Sequence, residues 1–182
     1  MTRPTYINNA FGGDCDAMLD ALETEVPFEV RTEARSECFM ADGSRLYTYG
    51  AGRNARTYAA SPFHPEVKRV MHALNAQGTA YNVCVLNRYE NERQALGWHS
   101  DDSPEQDQEH PIAVMSFGAV REIWTRPIGA KGIVPDADRF TLWPGSLFVM
   151  PGGYQQTHQH RIPKPFSPCG LRISLTFRKL DR

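Results

Sequence analysis

At 182 residues, with a hydrophobic fraction of 41% and a charged fraction of 23%, the chain has the profile of one folded domain with a substantial core. Its formal net charge of -1 excludes a globally basic nucleic-acid binder, so any polyanionic partner must be held by local charge. No apolar run approaches the ~20 residues that span a membrane, no basic-then-apolar leader opens the chain, and Cys15, Cys38, Cys84 and Cys169 lie far apart without a C-x-x-C pair. These features predict reduced thiols and a cytoplasmic, intracellular location.

Taken in order, residues 1–10 read as a short, partly extended lead-in broken by Gly12-Gly13. Asp14 or Asp16 can start a helix over Ala17–Glu25, with Met18, Leu19 and Leu22 as its apolar stripe and Pro27 ending it. Phe28–Glu33 follows as a strand. The next stretch is less regular; Asp42-Gly43 marks a turn, and Leu46–Gly50 has extended character. Arg53, Arg56 and Tyr58 then interleave charge with an aromatic ring, a pattern that suits stacked bases and phosphates as well as a tyrosine-rich strand. Val67, Val70, Met71 and Leu74 predict a helix over about 66–76, with His64 and His72 as cap or surface residues.

From Tyr81 the period changes to that of strands. These are predicted at Tyr81–Tyr89, Ile112–Phe117, Val120–Thr125, Phe140–Trp143, Ser146–Met150 and Leu171–Phe177, with loops over Glu90–Gly97, Pro127–Asp138 and from Gly152 into His158. Early helices followed by many short strands predict an α+β domain whose later half is a two-sheet barrel or jelly roll.

The candidate chemistry begins at Trp98-His99-Ser100-Asp101-Asp102. An H-x-D triplet alone is weak, but His160, far downstream, completes a set of two imidazoles and one carboxylate. Such a set leaves open positions on an octahedral ion and suits non-haem Fe(II). Arg172 and Arg178, six positions apart on an extended strand, start on one face and suit an acid cosubstrate. Asn87 and Tyr89 also share a face and offer hydrogen bonds to the same acid. Either His158 or His160 can supply the second imidazole, and a zinc hydrolase would use His99, His158, His160 and Asp101. That reading leaves the two arginines without a task.

The chain resembles the AlkB family of Fe(II)- and 2-oxoglutarate-dependent dioxygenases, nearest to the animal nucleic acid demethylases. The resemblance runs from about Tyr81 to Arg178. It rests on Asn87-Arg88-Tyr89, His99-Ser100-Asp101-Asp102, Ser116-Phe117-Gly118-Ala119, Gly145-Ser146-Leu147, His160-Arg161-Ile162-Pro163-Lys164 and the closing Arg172-Ile173-Ser174-Leu175-Thr176-Phe177-Arg178. Tyr47-Thr48-Tyr49-Gly50 is similar, more loosely, to the nucleotide-recognition region. The resemblance implies a double-stranded β-helix core over 81–182, with 1–80 as an N-terminal recognition and support region of one domain. It implies His99, Asp101 and His160 as ligands of Fe(II), and Arg172 on the distal carboxylate of 2-oxoglutarate. Asn87 and Tyr89 would complete that pocket, with Arg178 near its metal-bound end. Asp102, Tyr47, Tyr49, Arg53, Arg56 and His158 are the implied substrate contacts. His158 stands where relatives tend to carry tryptophan, and Ser103 where they often carry a second acid.

The implied reaction is oxidative N-demethylation of alkylated, preferentially single-stranded DNA or RNA by a monomeric enzyme, consuming molecular oxygen and releasing formaldehyde, succinate and CO2. The alternatives are oxidation of a protein or small molecule by the same chemistry, and a non-catalytic nucleic-acid-binding module.

Overall fold

The computed structural model describes residues 3–49, 56–130 and 137–181, with the side chain of Tyr49 outside that set. Three helices and thirteen strands follow one another along these residues. They are β1 (Thr5–Ile7), α1 (Cys15–Glu25), β2 (Glu29–Thr32), β3 (Arg35–Ala41), β4 (Leu46–Tyr49), β5 (Arg56–Ala59), α2 (Pro65–Asn75) and β6 (Val83–Tyr89), then β7 (Leu96–His99), β8 (Ile112–Gly118), β9 (Arg121–Pro127), β10 (Asp138–Leu142), β11 (Leu147–Met150), α3 (Tyr154–Thr157), β12 (His158–Ile162) and β13 (Arg172–Arg178). The strands form a seven-stranded antiparallel sheet, β1-β11-β8-β13-β6-β3-β2, and a four-stranded one, β10-β9-β12-β7, with β4 and β5 paired as a hairpin.

Both longer helices begin where the side chains can satisfy their first amides. The Asp14 carboxylate accepts from the amides of Asp16 and Ala17, capping α1, and the His64 ring accepts from the Glu66 amide at the start of α2, ahead of Pro65. Their apolar stripes pack against the outer face of the large sheet. Met18, Leu22, Val67, Val70 and Met71 join Cys38, Met40, Cys84, Leu86, Met115, Ile173, Leu175 and Phe177 in one cluster. Every second residue of the central strands is therefore committed to the helices. The intervening residues, among them Glu37, Asn87, Tyr89, Arg172, Ser174 and Arg178, line a cavity whose other wall includes His99, Ile123, His160 and Ile162 of the small sheet. This is the α+β jelly-roll arrangement that the strand pattern predicts.

Three segments depart from the sequence reading. The irregular stretch after Glu33 contains β3, buried along its whole length between β2 and β6. The predicted loop over Glu90–Gly97 ends inside β7, and the predicted loop into His158 holds α3 and then β12. Each is a short or polar segment whose apolar pattern is interrupted by residues that face the cavity. Among the described residues, no helix is long and apolar enough to cross a membrane.

Candidate active site

Antiparallel pairing of β12 with β7 sets His160 directly opposite His99 and brings their ring centroids to 4.1 Å. Asp101 follows two residues after His99, its amide donating to the Gln155 side chain. His99 Nε2 lies 3.9 Å from one Asp101 oxygen and His160 Nε2 lies 3.8 Å from the other. One ligand atom from each of the three residues falls within 4.8 Å of the others. The orientation of His99 is set from behind. Its Nδ1 lies 2.8 Å from the Gly97 carbonyl, which can only accept, so the proton sits on Nδ1 and Nε2 presents a lone pair.

Protonation states favour a metal. Burial pushes the His160 pKa down to about 3, with His99 and Arg178 adding to the effect, and burial also lowers that of His99. Both imidazoles are therefore neutral at pH 7. Burial works to raise the Asp101 pKa and is the largest single effect, but the Arg178 guanidinium, 2.8 Å from Asp101 Oδ2, together with His160, His99 and Arg35, outweighs it, and the carboxyl is held at about 2. Asp101 Oδ1 is buried without a hydrogen-bond partner, an orphan that a divalent cation would satisfy. Two neutral histidines and one carboxylate converging on one side of a cavity match the facial set that binds Fe(II) with open positions.

The cavity continues from these three residues along β13. Arg172 is fully buried. Its Nε donates to Ser116 Oγ at 2.8 Å, Nη1 to Ser174 Oγ at 3.4 Å, and its guanidinium stands 5.3 Å over the Tyr89 ring. Among the described residues no carboxylate pairs with it, and Nη2 has no hydrogen-bond partner. Burial lowers its pKa to about 10, so it remains a cation held in place for an anionic ligand.

The remaining candidates fall at different depths. Tyr47 is buried, and its hydroxyl accepts from Arg178 Nη1 at 2.6 Å and from Ser103 Oγ at 3.0 Å. Asn87 faces the cavity, but its Oδ1 accepts from Arg35 Nε at 2.6 Å, so its carbonyl end supports an arginine. Arg56 is partly exposed and lies 3.7 Å from Glu37. Asp102 is exposed and is not part of the cavity lining. His158 stacks flat on Tyr154 at 4.2 Å, with Nδ1 2.8 Å from Thr157 Oγ1, and is not among the three converging ligands. The hydrolase assignment of His158 therefore has no geometric basis. Arg53 and the Tyr49 side chain lie outside the described residues.

The sequence reading missed a second polar group on the cavity wall. Glu37, on β3, pairs with Arg35 and accepts from the Tyr58 hydroxyl at 2.8 Å, and both Arg35 and Glu37 are buried. Arg-x-Glu on one face of a strand, followed directly by Cys38, Phe39 and Met40, is the signal that would have found them.

Comparison with known proteins agrees with this geometry. Residues 15–178 match the family model described as the 2OG-Fe(II) oxygenase superfamily. The chain is 31% identical over 179 residues to the human alpha-ketoglutarate-dependent dioxygenase alkB homolog 3, covering 91% of this chain and 61% of that protein. It is 28% identical over 184 residues to the human DNA oxidative demethylase ALKBH2, covering 92% and 69%. The chain thus spans about three fifths of the first of these relatives. Among solved structures, that titled "The structure of OsALKBH1" superposes with a TM-score of 0.66 at 18% identity, covering 97% of both chains. A 2OG-Fe(II) oxygenase family oxidoreductase from Burkholderia pseudomallei gives 0.58 at 18% identity, covering 96% and 84%. At that identity the structures attest the fold.

Proposed function

The chain belongs to the AlkB family of the 2OG-Fe(II) oxygenase superfamily, and from that premise we propose that it removes N-linked methyl groups from bases of DNA or RNA, using Fe(II), 2-oxoglutarate and dioxygen. The observation that carries this reading is the junction of two half-sites in one cavity: the His99, Asp101 and His160 set at one end, and the incompletely satisfied Arg172 guanidinium farther along β13. An acid with two carboxyl groups suits both ends.

Bound Fe(II) with 2-oxoglutarate supplies the activation of oxygen, and the overall reaction converts the N-methyl group to N-hydroxymethyl, with succinate and CO2 as the other products. The hydroxymethyl group then leaves as formaldehyde and restores the base. His99, Asp101 and His160 hold the ion and leave positions for its other ligands. Arg172 takes the far carboxylate of the cosubstrate through its planar fork, against the Tyr89 ring. Arg178 fixes the Asp101 carboxylate by its 2.8 Å ion pair, leaving the other carboxylate oxygen for the metal. Tyr47 holds Arg178 from the opposite side. Apolar cavity walls, including Leu96, Val114, Ile123 and Ile162, limit water around the reacting groups. A base reaches this depth only when unstacked, which favours single-stranded or weakened duplex substrates.

The test is a formaldehyde-release screen with Fe(II) and 2-oxoglutarate on methylated single-stranded DNA, duplex DNA, RNA and nucleosides, with methylated peptides as controls. Release from nucleic acid, abolished by His99→Ala and by Asp101→Ala, is expected. Release from peptides alone overturns the base-demethylation reading, and unchanged turnover in either variant overturns the metal site.

A further inference from the structure

The outer face of the small sheet, turned away from the cavity, carries an alternating stack of cations and indoles that the site just described does not use. Its residues come from all four strands. Arg126 lies 4.1 Å from the Trp98 ring, Arg161 lies 4.8 Å from Trp98 on one side and 4.1 Å from Trp124 on the other, and Arg139 lies 4.2 Å from Trp124. The register produces the stack, since Trp124 is the direct partner of both Arg139 on β10 and Arg161 on β12. His160 and Thr125, one residue away on the same strands, are buried.

Three guanidiniums share this surface, and among the described residues none of them makes an ion pair. Glu122 accepts from the Trp124 indole N–H at 2.8 Å and forms no ion pair with the three arginines. The Nε atoms of Arg126 and Arg161 have no hydrogen-bond partner. Stacking on indole holds each guanidinium plane fixed and leaves its edge for an anion. The chain's net charge of -1 makes such a cationic face a local construction and not an average property.

We propose that this face binds the phosphodiester backbone of a single nucleic-acid strand, with Arg126, Arg139 and Arg161 as the phosphate contacts. The proposal rests on the base-demethylation reading for its ligand, and its site is separate from the metal centre.

The experiment measures anisotropy of a labelled, unmodified 12-nucleotide DNA strand against protein over 50–400 mM salt, for the wild type and for the combined Arg126→Gln, Arg139→Gln and Arg161→Gln variant. Each lost phosphate contact on a single strand removes ~0.7 from the slope of log K against log salt. The combined variant should therefore lose about 2 from that slope and bind roughly a hundredfold more weakly at 0.1 M salt. An unchanged slope overturns the surface assignment and leaves the demethylation reading intact. No binding by the wild type at low salt counts against both. Heparin or anionic phospholipid vesicles bound with the same slope as DNA overturn the nucleic-acid assignment. Because removing the arginines also uncovers two indoles, a second measurement keeps the stack intact. In a Trp143→Phe background the fluorescence of Trp98 and Trp124 should change when the strand is added. An unchanged signal under saturating DNA places the strand elsewhere.

Discussion

Replacing Arg172 with methionine should move stability and cosubstrate affinity in opposite directions. Arg172 is fully buried, donates to two serine hydroxyls, and has no carboxylate partner among the described residues. Without cosubstrate the cation therefore sits desolvated and poorly compensated, as its lowered pKa of about 10 records. Exchanging such a charge for an apolar side chain of similar length is neutral or stabilising by ~1–4 kcal/mol. At ~1 kcal/mol the melting temperature of a domain this size rises by about 2–4 °C. With 2-oxoglutarate the sign reverses. A bidentate arginine–carboxylate contact comprises two charge-assisted hydrogen bonds, each worth ~1.5–3 kcal/mol. Taking the low end, ~3 kcal/mol, the Kd rises on the order of a hundredfold. The assay is thermal unfolding with a redox-inert divalent metal, with and without 2-oxoglutarate. At a concentration of 100 Kd the wild type gains ~2.7 kcal/mol from the ligand, and the variant should gain almost none. An Arg172→Met protein that is destabilised without ligand yet keeps the wild-type ligand shift would refute the anchoring role.

Two further outcomes follow from geometry. Both His160, with a folded pKa of about 3, and His99, also lowered, bind fewer protons when folded than the unfolded chain does, whose histidines titrate near 6.5. Their contribution to stability is therefore complete above about pH 6.5 and is lost as pH falls. Urea unfolding of metal-free protein should lose about 1.7 kcal/mol from His160 between pH 6.5 and 5, with His99 acting in the same direction. His160→Gln should flatten that dependence, and an identical slope in the variant would contradict it. Gly118→Ala should cost more than ~3 kcal/mol, because φ is +81° and a Cβ there would stand 2.4 Å from the Leu171 carbonyl oxygen. Gly129→Ala, with φ of +85° but open space around it, should cost only ~1 kcal/mol. Equal urea midpoints for the two variants would remove the packing argument.

The helices and the apolar strands were legible because their patterns have a single cause, burial against one another. Met18, Leu22, Val67 and Val70 recur at helical spacing and meet the alternate residues of β6, β8 and β13. The ligand-bearing strands were harder to read for the same reason that they carry ligands. In β12 (His158–Ile162) and β7 (Leu96–His99) the cavity-facing positions mix His160 and His99 with Ile162 and Leu96, and the outward positions carry Arg161 and Trp98, so alternation yields no continuous apolar face. Arg35 and Glu37 look like a solvent-facing start to β3, but they are buried because Asn87, Tyr58 and each other satisfy them. The spacing of His99 and Asp101 was visible, whereas the pairing that sets His160 opposite His99 depends on strand register, which motif spacing does not encode.

Strand β13 can be regarded as a ruler. It is paired on both sides, with β6 and with β8, in the interior of the large sheet. Arg172 and Arg178 mark its two ends on one face, and six residues of extended chain set them ~20 Å apart at the Cα atoms. That interval does not adjust gradually. A slip of one residue would turn both arginines toward the helices and bring Ile173 and Phe177 into the cavity. The length of acid that bridges Arg172 and the metal ligands is thus graduated on one of the least yielding segments of the protein. Acceptance of longer or shorter acids must then come from altering the side chains at the marks, since the scale between them is locked by neighbours on either side.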